Sequence, residues 1–124
     1  MLTLLSGIAP HFFRMTDKIV VLSTCANEVE AGKLARLLVE QRLAACVNVV
    51  PGIASYYRWQ GAIESATEFL LVIKSSRTLF PALSATLKEH HSYEVPEVLA
   101  LPVLDGSPDY LSWLSASLSG PQTE

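Results

Sequence analysis

The stretch "IASYYRWQGAIESATEFLLVIKS", Ile53 to Ser75, decides the fold. Two extended runs face each other across a turn in "RWQGA", where Gly61 tolerates the positive φ that a tight hairpin needs. The outer part of the second run alternates polar and apolar residues. Its inner part, "FLLVIK", is almost continuously apolar and predicts cover on both faces. Ten extended residues span about 33 Å, so a hairpin this long overreaches a small domain. Tyr56, Tyr57 and Trp59 stand near its tip, and an overreaching apolar ribbon requires a partner surface. These three aromatics are the candidate interface anchors.

Upstream, "ACVNVVPG" (residues 45–52) leads into the first arm, with Pro51-Gly52 marking a bend or bulge rather than a stop. Before it, "KIVVLSTC" (Lys18 to Cys25) reads as a buried strand and "ANEVEAGKLARLLVEQRLA" as a helix. Asn27 and Glu30 have capping-box spacing, and Ala31, Leu34, Ala35 and Leu38 fall on one helical face. Downstream, "RTLFPALSATLKEHH" gives a second helix with Leu79, Leu83 and Leu87 four apart. Pro81 must lie in its first turn, which predicts Thr78 as the cap. "PEVLALPV" predicts a fourth strand. "DGSPDYLSWLSASL" predicts a last helix capped by Ser107, with Pro108 at its first position and a stripe of Tyr110, Leu114 and Leu118.

The order β-α-β-β-α-β followed by a helix is the split βαβ, ferredoxin-like α+β arrangement with an extended β2–β3 hairpin. Right-handed crossovers place both inner helices on one sheet face. The other face is left to the terminal helix and to neighbouring subunits. The expected organisation is a flexible extension over residues 1–17, one domain over 18–119 and a flexible tail over 120–124. Met1 and Met15 are both candidate starts, and the broken apolar stretch at the N-terminus lacks the basic region of a secretory signal.

Half of the 124 residues are hydrophobic and only 17% are charged, with a mean hydropathy of +0.33. That is rich for a small domain, which buries a limited share of its surface. No apolar run approaches the roughly 20 residues of a spanning helix, so the surplus points to an oligomer rather than a membrane. A net charge of −3 and a pI near 5.6 leave no electrostatic footprint for nucleic acid. Cys25 and Cys46 are too few for a disulfide framework, and a reducing cytoplasm fits them. No nucleophile–base motif, phosphate loop or CxxC is present, which argues against an enzyme.

His90 and His91 end the second helix. Imidazole suits copper and zinc, but adjacent helical residues point about 100° apart, so one ion reaches both only where the helix has unwound. The alternative is a helix stop, with imidazoles at the negative end of the dipole. Cys25 is the candidate third ligand; the alternative is packing at a strand end. Cys46 reads as core packing, and the third strand keeps it from pairing with Cys25. Lys74, Tyr93 and Glu97 are candidates for the lining of an inter-subunit cleft, the alternative being an ordinary ion pair or a solvated rim.

Three stretches, "RLAACVNVVPGIASYYRWQGAI", "SYEVPEVLALPV" and "DYLSWL", make the chain resemble the CutA family of divalent-cation tolerance proteins from Ile19 to Leu118. The resemblance implies a ferredoxin-like fold and a tight homotrimer in which long hairpins pair with neighbouring subunits edge to edge. It also implies a role in copper tolerance, with copper not needed for the fold. In some members a His pair and a cysteine near the end of the first strand are assigned as copper ligands. His90 and His91 match that pair. The cysteine position aligns with Ser23, and Cys25 lies two residues on, on the same side of an ideal strand. Ser92 stands where many members have proline. Competing expectations are a small-molecule sensor resembling nitrogen-regulatory signalling trimers and a scaffold presenting a protein-binding surface.

Overall fold

β-Branched residues over Lys18–Cys25 set β1, and every second side chain turns inward. Ile19, Val21 and Cys25 are buried in the core, with Ser23 between them. The structure, a computed structural model, describes residues 16–120. Helix α1 (Glu28–Glu40) follows, then β2 (Cys46–Trp59), β3 (Ala62–Ser76), a 3₁₀ turn (Arg77–Leu79), α2 (Phe80–His90), β4 (Leu99–Pro102) and α3 (Pro108–Ser117). The strands form one sheet in the order β2-β3-β1-β4, with every pair antiparallel. This is the expected ferredoxin-like topology. The N-terminal and C-terminal segments expected to be flexible lie outside the described residues except at their inner ends. There Thr16 donates its hydroxyl to the Val103 carbonyl, and the Asp17 carbonyl accepts from the Arg77 amide.

The core lies between the sheet and the two inner helices. Ala31, Leu34 and Leu38 of α1 and Leu83 and Leu87 of α2 meet Leu71 and Ile73 of β3. "FLLVIK" departs from expectation in part. Leu71 and Ile73 are fully buried, while Leu70 and Val72, on the face away from the core cluster, are only half-buried. Cys46 also departs: it is half-buried rather than in the core. It opens an edge strand opposite Lys74, and its thiol points to the Asn48 side chain.

The hairpin is as long as expected, with 14 and 15 residues in its arms. A bulge between Val50 and Ile53 falls at Pro51-Gly52, where Gly52 takes a φ of 70°. The tip turns at Gln60 and Gly61, both at positive φ (49° and 83°), the geometry whose twist matches the strands. Two helix details differ from the sequence reading. The Thr78 cap is replaced by the 3₁₀ turn, in which the Ser76 and Thr78 hydroxyls share a hydrogen bond, and α2 starts at Phe80 with Leu79 as the flanking residue. In α3 Ser107 caps as expected, accepting from the Tyr110 amide. The buried stripe is Leu111, Leu114 and Leu118, with Tyr110 outside it. The helix starts one residue after Ser107, and that phase brings Leu111 down onto Gly106, where a Cβ would meet its side chain at 3.2 Å.

Candidate functional site

Three chain segments meet at the C-terminal end of β1. Asn27 caps α1 by accepting the Glu30 amide at 2.9 Å. The Glu30 carboxylate bends back to accept the Ala26 amide at 3.3 Å, which completes the capping-box logic one residue earlier than expected. Its remaining capacity goes to a segment 62 residues away. The Ser92 amide donates to Oε2 at 2.7 Å, and the Ser92 hydroxyl donates to Oε1 at 2.9 Å. Burial works against ionisation of Glu30. The Ser92 and Ala26 donors outweigh it and hold the carboxyl below its ordinary range.

Helix α2 ends between the two histidines. His90 is its last residue; it is exposed, and its Nδ1 lies 3.0 Å from the Thr86 carbonyl one turn back. His91 leaves the helix in extended backbone (φ −84°, ψ 146°), so its ring swings under the end of β1. Its side chain is 0% exposed. Nε2 lies 2.8 Å from the Thr24 carbonyl, and Nδ1 accepts the Tyr93 amide at 3.0 Å. Carbonyl oxygens only accept and amides only donate, so the ring is the tautomer with its proton on Nε2. Glu30 Oε2 stands 3.6 Å from Nδ1, but in this tautomer the pair is not an ion pair. The helix end separates the adjacent histidines, and each imidazole has its own carbonyl partner.

Tyr93 stacks obliquely on His91 with ring centroids 4.8 Å apart, and its hydroxyl donates to Glu68 Oε2 at 2.7 Å. Burial first, then that hydrogen bond, raises the phenol above its ordinary range. Glu68 is itself buried. The Cys25 thiol is fully buried, 3.9 Å from the Asn27 carbonyl, and is pushed up to about 11 by burial and by the Glu30 carboxylate. Ser23 is also fully buried, and its Oγ has no hydrogen-bond partner among the described residues.

The residues singled out from sequence therefore do not gather into one site. His90, His91 and Cys25 share one end of the sheet, yet among the described residues no three His, Cys, Asp or Glu side chains converge to hold a metal ion. The donor chemistry does not fit a copper centre either. His91 has no lone pair left, Cys25 is a buried thiol rather than a thiolate, and Ser23 offers a hydroxyl closed inside the core. Within one chain Lys74, Tyr93 and Glu97 are not brought together. Lys74 stands opposite Val20 with its ammonium on Asn48 Oδ1, Tyr93 lies against Glu68 beyond the end of β1, and Glu97 is exposed ahead of β4. Tyr56, Tyr57 and Trp59 are exposed on the hairpin, at 76%, 43% and 58%. Sequence reasoning missed Glu68 and Ser92 as partners. Nothing local marks either, because each pairing joins segments far apart in the chain.

The fold and the polar cluster define a small α+β sandwich with a projecting hairpin, and comparison with known proteins gives it a family. Residues 19–117 match the model of the CutA1 divalent ion tolerance protein family. The divalent-cation tolerance protein CutA of Thermus thermophilus is 50% identical over 95 residues, covering 77% of this chain and 92% of that protein. Protein CutA of Mus musculus is 52% identical over 91 residues; the match covers 73% of this chain and only 51% of the mouse protein. Among solved structures, the T. thermophilus divalent cation tolerance protein superposes with a TM-score of 0.81 at 46% identity, over 82% of this chain and 99% of that one. The periplasmic divalent cation tolerance protein CutA of Archaeoglobus fulgidus superposes with a TM-score of 0.79 at 35% identity, over 81% and 97%. The chain belongs to the CutA1 divalent ion tolerance family.

Proposed function

We propose that this chain serves divalent-cation tolerance as a cytoplasmic homotrimer that acts through its assembled body rather than through a metal centre built into one subunit. The observation that carries the reading is the surface that a single chain leaves open. Val49, Val50, Tyr56, Trp59, Ile63, Leu99 and Leu101 are all exposed, along the hairpin and both outer strands of the sheet. An apolar surface flanking two unpaired strand edges is self-complementary for edge-to-edge association. Three copies joined β2 to β4 would close such edges in a ring. Copper binding, where it occurs, is weak and is not required for folding. The two free cysteines support a reducing compartment, whereas the A. fulgidus relative is periplasmic.

A second reading is favoured by Lys74. Its ammonium lies on the open sheet face beside Asn48 and Cys46, where a neighbouring subunit would bring further groups to it. That arrangement suits a small anionic ligand held between subunits. Sedimentation at micromolar concentration, followed by a thermal-shift panel of divalent metals and small anionic metabolites, tests both readings. A single three-chain species supports the assembly. Stabilisation by a metabolite but by no metal favours the sensor, and a monomer overturns both.

A further inference from the structure

We infer that His91 is a structural imidazole, the pin of a clasp that positions Tyr93 against Glu68, and that it takes no part in metal binding. The clasp has two fastenings. In the first, the His91 ring bridges the Thr24 carbonyl at the end of β1 and the Tyr93 amide two residues on. In the second, the Glu30 carboxylate grips the amide and hydroxyl of Ser92, the residue between them. Three consecutive residues after α2 are thereby fixed to β1 and α1, and the third, Tyr93, reaches Glu68 with its hydroxyl at 2.7 Å.

Every donor and acceptor of the ring is used. A metal ion binds an imidazole through an unprotonated nitrogen. On His91 that nitrogen is Nδ1, which already accepts the Tyr93 amide inside a ring that is 0% exposed. A metal at Nδ1 would have to break that bond and open the clasp. A metal at Nε2 would have to strip its proton and take the imidazole's hydrogen bond away from the Thr24 carbonyl. His90 is different: it is exposed and only its Nδ1 is engaged, so among the described residues a weakly held cation has that single imidazole and no convergent set of ligands beside it. The inference does not depend on the assembly state or on the proposed role in tolerance.

The test combines imidazole nitrogen NMR of the full-length protein with zinc titration, zinc being diamagnetic. His91 should show a protonated Nε2 and an unprotonated Nδ1, and neither signal should move as zinc is added, while His90 shifts. Two variants separate the halves of the clasp. His91→Gln keeps an amide donor for Thr24, and His91→Asn keeps an acceptor for the Tyr93 amide. Each should retain part of the stability that His91→Ala loses, and each should bind zinc within a factor of about 2 of the parent protein. A loss of zinc affinity of about tenfold or more, equal to 1.4 kcal/mol, in the folded Gln or Asn variant would overturn the inference. So would a zinc-induced shift at His91, or the opposite tautomer.

Discussion

Cys25 illustrates how burial sets chemistry at a single residue. Its thiol is closed in the core and raised to about 11 from an ordinary value of 9.0, first by burial and then by Glu30. Between those values the folded chain keeps a proton that the unfolded chain releases. The contribution to stability is therefore complete below pH 9.0 and is lost as pH rises through about 11. Denaturant titrations from pH 8 upward should show this alkaline decline, and Cys25→Ala should reduce it, the remainder belonging to the Tyr93 phenol, which is raised as well. Iodoacetamide at pH 8 should label Cys25 only after unfolding, as read by peptide mapping; rapid labelling of the folded protein would contradict the burial. Ser23 gives a second case. Its buried hydroxyl lacks a partner among the described residues, and such a group costs about 1–3 kcal/mol. Ser23→Ala, which leaves only a small void, should raise stability by about 1 kcal/mol in a urea titration. A loss of stability would mean that Oγ has a partner after all. Legibility at this scale followed sequence distance. The Asn27–Glu30 cap was readable because the two residues are three apart, whereas the Glu30–Ser92 and Tyr93–Glu68 contacts join distant segments. The two histidines were visible as a pair, but their divergence depends on the helix ending between them, and boundaries of one residue are beyond pattern reading.

Elements were more legible than contacts because hydrophobic period and turn chemistry act locally. β1, α1, the hairpin, α2, β4 and α3 all occur where their patterns placed them. The errors lie where two local rules compete. At the start of α2, Pro81 restricts the first turn, but Ser76 and Thr78 bond to each other and a 3₁₀ turn forms ahead of the helix. In α3, the spacing of Tyr110, Leu114 and Leu118 is as helical as that of the residues buried in the structure. Which of Tyr110 and Leu111 turns inward is not marked by the spacing, and in the structure it is Leu111, beside Gly106, that is buried. The hairpin tip gives an element-scale prediction. Gln60 sits at φ 49°, a region that asparagine tolerates better, and Gly61 sits at φ 83°. Gln60→Asn should stabilise slightly. Gly61→Ala should cost about 1 kcal/mol from the strained φ alone. Equal thermal midpoints for Gly61→Ala and the parent would show that the tip sets its own geometry independently of the rest of the molecule.

At the scale of the whole molecule, the composition argument and the structure point the same way. A chain that is half hydrophobic folds around a core covering one sheet face. The remaining apolar surface is distributed over the hairpin and the two edge strands. No described helix is long and apolar enough to cross a membrane. Exposed apolar residues spread along strand edges are the pattern that another protein surface covers. A second copy of the chain is the simplest supplier, since both outer edges of the described sheet belong to the same protein. If Trp59 anchors that contact, its indole, 58% exposed in the single chain, becomes buried on association. Truncating an anchor of that kind typically removes about 2–4 kcal/mol of binding free energy. Trp59→Ala should therefore leave the single-chain fold intact by circular dichroism and shift the proposed trimer to dissociate at concentrations at least tenfold higher, as about 1.4 kcal/mol or more requires. Sedimentation velocity across a dilution series measures the shift. Tyr56→Ala, more exposed at 76% and three residues away on the opposite face of the same strand, serves as the comparison. A trimer equally stable in the Trp59→Ala variant would place Trp59 on a solvated rim. The anchor would then have to be sought along β2 and β4, at Val49, Val50, Leu99 and Leu101.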